Sequence, residues 1–170
     1  IVVHPPWIST DAEISISILP QMAFGTGGHE STRLSIMALE ERVTAGCRCL
    51  DIGTGSGILA IAAVLLGAGS VLAVDTDQQA IDNARENVTR NLLGRVQPEL
   101  RHATVESMQE FGFDLIVANI QSSTLAPILP EARDRLAEDG AVIFSGLLAR
   151  EERDFCHSVE ETGMVVEAIR

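Results

Sequence analysis

Asp51-Ile52-Gly53-Thr54-Gly55-Ser56-Gly57 is the stretch that decides how this chain folds. A β-rich run over 47–52 carries an acid, Asp51, next to its end, glycine then takes every second position, and the segment 56–66 is apolar nearly all round. Glycine lets the backbone turn sharply and approach a ligand closely, and a strand passing through such a turn into a buried helix opens a doubly wound α/β unit. The spacing is not the dinucleotide fingerprint G-x-G-x-x-G, which would need glycine where Ile58 stands. Nor is it a phosphate loop, because no Lys-Ser or Lys-Thr pair follows the glycines. The turn is expected to receive a nucleotide-type ligand that is not defined by its phosphates.

Outward from this turn, β-rich runs at 70–75, 96–102, 113–119, 141–145 and 164–169 alternate with helical patterns, the signature of βαβ units and a mostly parallel sheet. The segment 77–92 carries Ala80, Ile81, Ala84, Val88 and Leu92 at helical spacing, capped by Thr76 or Asp77. The segment 122–138 places Leu125, Leu129, Ala132 and Leu136 on one face; Pro127 and Pro130 suit only first turns, so that helix is expected to begin late. A last helix over 149–162 stops at Gly163. Ahead of the turn, 2–7 and 12–19 read as strands, a glycine loop occupies 24–28, and a helix over 30–42 shows Leu34, Met37, Ala38 and Glu41 as an imperfect apolar stripe. The expected organisation is one compact domain: 1–46 covers the ligand turn and 47–170 forms the doubly wound core.

A chain of 170 residues with 46% hydrophobic content suits a single core. Against 24 acids stand 12 Lys and Arg, a net charge of −12 that repels nucleic acid phosphates, so no direct nucleic acid binding is expected, whereas a basic protein would be attracted. Cys47, Cys49 and Cys156 form neither a disulfide framework nor a zinc site, which fits a reducing cytoplasm. Cys47 and Cys49 share a strand face and read as buried structural thiols. The histidines are scattered, so no metal is expected. The run 58–66 is too short to span a bilayer and no signal peptide opens the chain, so no membrane association is expected either.

Asp75 closes the second run of the core, 75 − 53 = 22 residues after Gly53, near the distance at which an acid accepts hydrogen bonds from a ribose diol in doubly wound folds. Asp51, at a strand end, would face the same crevice and could hold a cationic amine directly or through water. The stretch 51–57 together with Asp75 resembles the cofactor site of Rossmann-type S-adenosyl-L-methionine-dependent methyltransferases. With Met22-Ala23-Phe24-Gly25-Thr26-Gly27-Gly28-His29-Glu30-Ser31-Thr32 and Leu115-Ile116-Val117-Ala118-Asn119-Ile120, the chain is similar over its whole length to the PrmA-type enzymes, which methylate a ribosomal protein.

The resemblance implies cofactor contacts at Thr32, Gly53, Asp75 and Asn119, joined here by Gly55, Gly57 and Asp51 from the turn, with Phe24, Gly25 and Thr26 in a loop that closes over the ligand. It implies a protein N-methyltransferase acting on lysine or amino-terminal amines of a ribosomal protein. Asn119, at a strand end, presents an acceptor suited to orienting an amine, and His29 is the secondary candidate as a base. The family pattern is departed from at Glu30-Ser31, at Gln121-Ser122-Ser123 and at His102-Ala103, where a carboxylate commonly meets adenine. Relative to the family fold, a final antiparallel strand is expected to be missing after Arg170. A methyltransferase for a small molecule or another protein, and a non-catalytic S-adenosyl-L-methionine-binding module, would share every cofactor residue.

Overall fold

The computed structural model describes residues 1–19 and 30–170. The expected loop residues Phe24, Gly25 and Thr26, and His29 beyond them, lie outside the described residues. Five strands, β3 (Arg48–Ile52), β4 (Ser70–Asp75), β5 (Glu99–His102), β6 (Phe113–Asn119) and β7 (Leu136–Ser145), form a parallel sheet in the order β5-β4-β3-β6-β7. Ahead of them, β1 (Val2–His4) and β2 (Ser15–Ser17) make a separate parallel pair. Among the described residues there are also five α-helices: α1 (Glu30–Arg42), α2 (Ile58–Leu65), α3 (Gln78–Asn91), α4 (Ser122–Arg135) and α5 (Glu152–Glu161), the last entered through a short 3₁₀ turn at Ala149–Glu151.

The sheet is covered on both faces, as the alternation requires. Cys49, Val71, Ala73, Leu115 and Val117 point to one side and bury the apolar residues of α1 and α2 with Val88 of α3. Their alternate neighbours Leu50, Ile52, Leu72, Val74, Ile116 and Ala118 point to the other and pack on Leu125, Leu129, Ala132, Phe155 and Val159 of α4 and α5. Near-continuous apolar strands are what a sheet buried on both faces demands. The two thiols of Cys47 and Cys49 lie 3.5 Å apart in the first layer, and burial pushes the Cys49 thiol above its ordinary range, so it stays protonated.

Several boundaries differ from the sequence reading. The run 164–169 is not a strand: the five-stranded sheet ends at β7, Val165 and Ile169 are exposed, and the segment lines, with β7, an open cleft of about 790 Å³. It is held instead by Arg42 to Glu167 at 2.5 Å and by Arg170 to Glu41 at 2.8 Å. The helix expected to reach residue 138 ends at Arg135, where Leu136 turns extended and starts β7 opposite Phe113, five residues earlier than the β-rich run suggested. α4 begins at Ser122 rather than late, so Pro127 and Pro130 lie inside it rather than in its first turn. Both are exposed, as are Ser123 and Ala126, to whose carbonyls a proline four residues on cannot donate. β5 starts at Glu99 rather than 96, since Val96 is exposed, and β1 and β2 are three residues each, shorter than read. The buried side of α1 is Thr32, Ser35, Ile36 and Leu39, and Met37 of the expected stripe faces solvent.

Candidate functional site

Strand order reverses between β3 and its neighbours β4 and β6, so a crevice opens at the carboxyl ends of these strands, where open α/β sheets bind ligands. Asp51, Asp75, Asn119 and Ser145 close, or nearly close, β3, β4, β6 and β7 and therefore meet at one edge.

The glycine turn is pinned from several directions. The amides of Gly53 and Thr54 both donate to Val74 O, at 2.9 and 3.0 Å, and Gly57 N donates to Thr54 O at 2.8 Å. Gly57 caps α2 at φ 79°, a conformation that L side chains rarely adopt, and a Cβ there would lie 3.1 Å from Ala84 Cβ on α3. A Cβ at Gly53 would sit 2.5 Å from Ile120 Cγ2, so the end of β3 approaches the end of β6 as closely as a bare backbone permits. That cradle is what the turn's glycines provide.

Asp75 is the hinge of the arrangement. Its Oδ2 accepts Gly55 N at 2.9 Å and its Oδ1 accepts Asp77 N at 3.0 Å, which locks the acid to the turn and to the start of α3. Each carboxylate oxygen retains a second acceptor site toward the crevice. Asp77 in turn caps α3 by accepting Gln79 N at 2.8 Å, as read from the sequence.

Asp51 is fully buried. Its Oδ2 accepts the Thr54 hydroxyl at 2.7 Å and Ala60 N at 3.1 Å, stapling the turn to the first turn of α2, while its Oδ1 is buried with no partner. Burial pushes the carboxyl up to about 7; the two bonds it accepts work against this, and the neighbouring Asp75 carboxylate adds to it. At 1% exposure the side chain is closed off from solvent in the ligand-free chain. An orphaned buried oxygen beside a backbone-lined cradle and a ribose-ready acid fits a nucleoside carrying a cationic end.

On the other side of the crevice, Asn119 Nδ2 donates to Thr32 Oγ1 at 3.1 Å, and the Ser145 hydroxyl donates to Ser31 O at 3.1 Å. These bonds dock the start of α1 on β6 and β7. Thr32 is buried beneath the Asn119 amide, whose Oδ1 takes no bond from the described residues and remains available as an acceptor. His102 directs Nε2 to Thr76 O at 3.0 Å, on the strand beside Asp75. Sequence reasoning passed over Thr54, Ser145 and the buried Asn83 and Asn87 of α3. The two asparagines are signalled by polar amides four apart on the stripe that carries Ala84 and Val88. Among the described residues no cluster of metal-ligating side chains forms, and no helix is long and apolar enough to cross a membrane.

The chain is similar to known proteins over its length. The family described as ribosomal protein L11 methyltransferase (PrmA) matches residues 1–170. A ribosomal protein L11 methyltransferase of Symbiobacterium thermophilum is 47% identical over 152 residues, 88% of this chain and 49% of that protein. Its counterpart in Desulforapulum autotrophicum is 37% identical over 169 residues, 98% of this chain and 56% of that protein. The chain thus spans about half the length of the curated relatives it matches. The crystal structure of a ribosomal protein L11 methylase from Lactobacillus delbrueckii subsp. bulgaricus superposes with a TM-score of 0.89 at 34% identity, covering 99% of this chain and 88% of that one.

Proposed function

The chain belongs to the ribosomal protein L11 methyltransferase (PrmA) family, and from that premise we propose that it transfers methyl groups from S-adenosyl-L-methionine to lysine or amino-terminal amines of a ribosomal protein. The observation that carries the proposal is the lock between Gly55 and Asp75 on one side of the switch point, with the open Asn119 acceptor on the other. When bound, S-adenosyl-L-methionine supplies a methyl group already activated by a sulfonium.

The residues divide the work accordingly. Asp75 accepts the ribose hydroxyls; Gly53, Gly55 and Gly57 admit the ligand against bare backbone; the Asp51 charge favours the cationic amine; and Thr32 borders the same site through Asn119. Asn119 Oδ1 accepts a hydrogen from the incoming amine and aims its lone pair at the methyl carbon opposite sulfur. A lysine amine starts with a pKa of about 10.4, and entry into a desolvated crevice favours its neutral, nucleophilic form. No catalytic triad is needed, because the leaving group departs without protonation. The net charge of −12 would draw a basic protein substrate and repel nucleic acid, in a reducing cytoplasm.

Incubation with labelled S-adenosyl-L-methionine and purified ribosomal proteins, followed by mass spectrometry, tests the proposal. Label on lysine or amino-terminal nitrogen of protein L11 is the expected result. Label confined to a small molecule or to a different protein would replace the substrate, and cofactor binding without any acceptor would reduce the chain to a binding module.

A further inference from the structure

We infer that Asn87, which belongs to none of the motifs above, is a positioning residue that holds the cofactor turn in its binding conformation; the inference rests on the reading of that turn as the cofactor site. Asn87 lies on α3 and is 0% exposed, set between the apolar Ala84 and Val88. A primary amide buried in such surroundings is costly unless its polar atoms are used. Its Nδ2 donates to Ser56 O at 2.9 Å and to Asn83 Oδ1 at 3.3 Å, while its Oδ1 meets no partner. A leucine has the same number of side-chain heavy atoms and would leave no orphaned oxygen, so apolar packing alone does not call for asparagine here.

The bond to Ser56 falls where the turn is weakest. Ser56 stands between Gly55 at φ 54° and Gly57 at φ 79°, so neither neighbour has a side chain to resist rotation of the intervening peptides. The amides of Gly53 and Thr54 are tied to Val74 and that of Gly55 to Asp75, but the Ser56 carbonyl is tied to α3 through Asn87. Removing that donor takes away the tie between the Ser56 carbonyl and α3, in a turn flanked by two glycines. One helical turn on, Asn91 plays a different part: its Oδ1 accepts Ser17 N at 2.7 Å and its Nδ2 donates to Ser17 O at 2.9 Å, docking β2 on α3. Its Nδ2 also donates to the Asn87 backbone carbonyl at 2.7 Å; Asn91 therefore serves as the control, a polar anchor on the same helix whose side chain does not touch the turn.

The experiment compares Asn87→Leu, Asn87→Ala and Asn91→Ala with the unaltered chain. It uses titration calorimetry with S-adenosylhomocysteine, thermal unfolding, and hydrogen exchange of the peptide spanning 53–57. Both Asn87 variants are expected to bind roughly three- to tenfold more weakly, the scale of one lost hydrogen bond, and to exchange faster at the turn even without ligand. Asn91→Ala is expected to lower the melting temperature while keeping the unaltered affinity and turn exchange. Alanine keeps the test alive if leucine does not fold. Unaltered affinity and exchange in the Asn87 variants, or equal losses in Asn91→Ala, would overturn the positioning role. Absence of binding by the unaltered chain would instead overturn the cofactor reading, and the exchange rates in the free protein would then decide the role of Asn87 by themselves.

Discussion

The two sides of the crevice are held by different means. On the β3–β4 side, five strand residues pair in register from Arg48 with Ser70 to Ile52 with Val74, and the turn that follows is fastened by backbone bonds, two carboxylates and an amide. On the β6–β7 side the ladder carries an irregularity between Phe113 and Leu115, β7 is half-buried for most of its length, and α1 is docked at the crevice by the bonds Asn119–Thr32 and Ser145–Ser31. The difference fits the function proposed above. On that reading a cofactor of constant shape rewards a preorganised cradle, whereas the amine of a protein substrate would enter and leave past a side held by fewer bonds.

The sharpest way to break the contrast is Gly57→Val, which puts a β-branched side chain at φ 79° and drives its Cβ toward Ala84. The backbone penalty alone is about 1–3 kcal/mol, and cofactor binding in calorimetry is expected to fall below detection. Retained binding would mean that the turn is not a preorganised cradle.

Asp51→Asn tests how much the buried carboxylate costs. Its folded pKa of about 7 lies above the ordinary 3.8, so the unfolded chain loses this proton first. Its contribution to stability therefore falls as pH rises from about 4 through 7 and stays lost above that. At about 1.4 kcal/mol per pH unit of displacement the effect is on the order of 4 kcal/mol. Asparagine can still accept from Thr54 and Ala60, so denaturant unfolding of Asp51→Asn is expected to be more stable than the unaltered chain at pH 8 and to lose this part of the pH dependence. Parallel pH profiles for the two proteins would show that Asp51 is not the titrating group.

Asn119→Ala sharpens the comparison from the side held by fewer bonds. Loss of an orienting acceptor is expected to slow single-turnover methyl transfer at saturating cofactor by about a hundredfold, with a smaller loss of cofactor affinity. A mutant that transfers at the unaltered rate once saturated would reassign Asn119 to cofactor contact alone. Asp75→Ala should show the opposite balance, weakening cofactor binding by about 1.5–3 kcal/mol, roughly ten- to a hundredfold, with circular dichroism unchanged. Equal affinity in that variant would remove the ribose assignment.

Legibility followed the same division. β4, β6 and α1 were read to the residue, because apolar runs bounded by an acid, an asparagine or a glycine carry their own end signals. The end of α4 was not legible, since Leu136 continues a helical stripe in sequence and leaves it only because Phe113 offers a strand to pair with. The run 164–169 has β-forming residues and alternation but joins no ladder, which no local pattern can reveal.

By itself the sequence determined the fold class, the glycine turn and its two acids, because these rest on local backbone freedom, spacing and the alternation of strand and helix. Only the tertiary structure decided which atoms of those acids are already in use, that Asp51 is closed off from solvent, that Thr32 meets Asn119, and that Asn87 reaches Ser56. The last two contacts join residues 87 and 31 positions apart in the chain, and their hydrogen-bond geometry exists only once the helices have packed on the sheet.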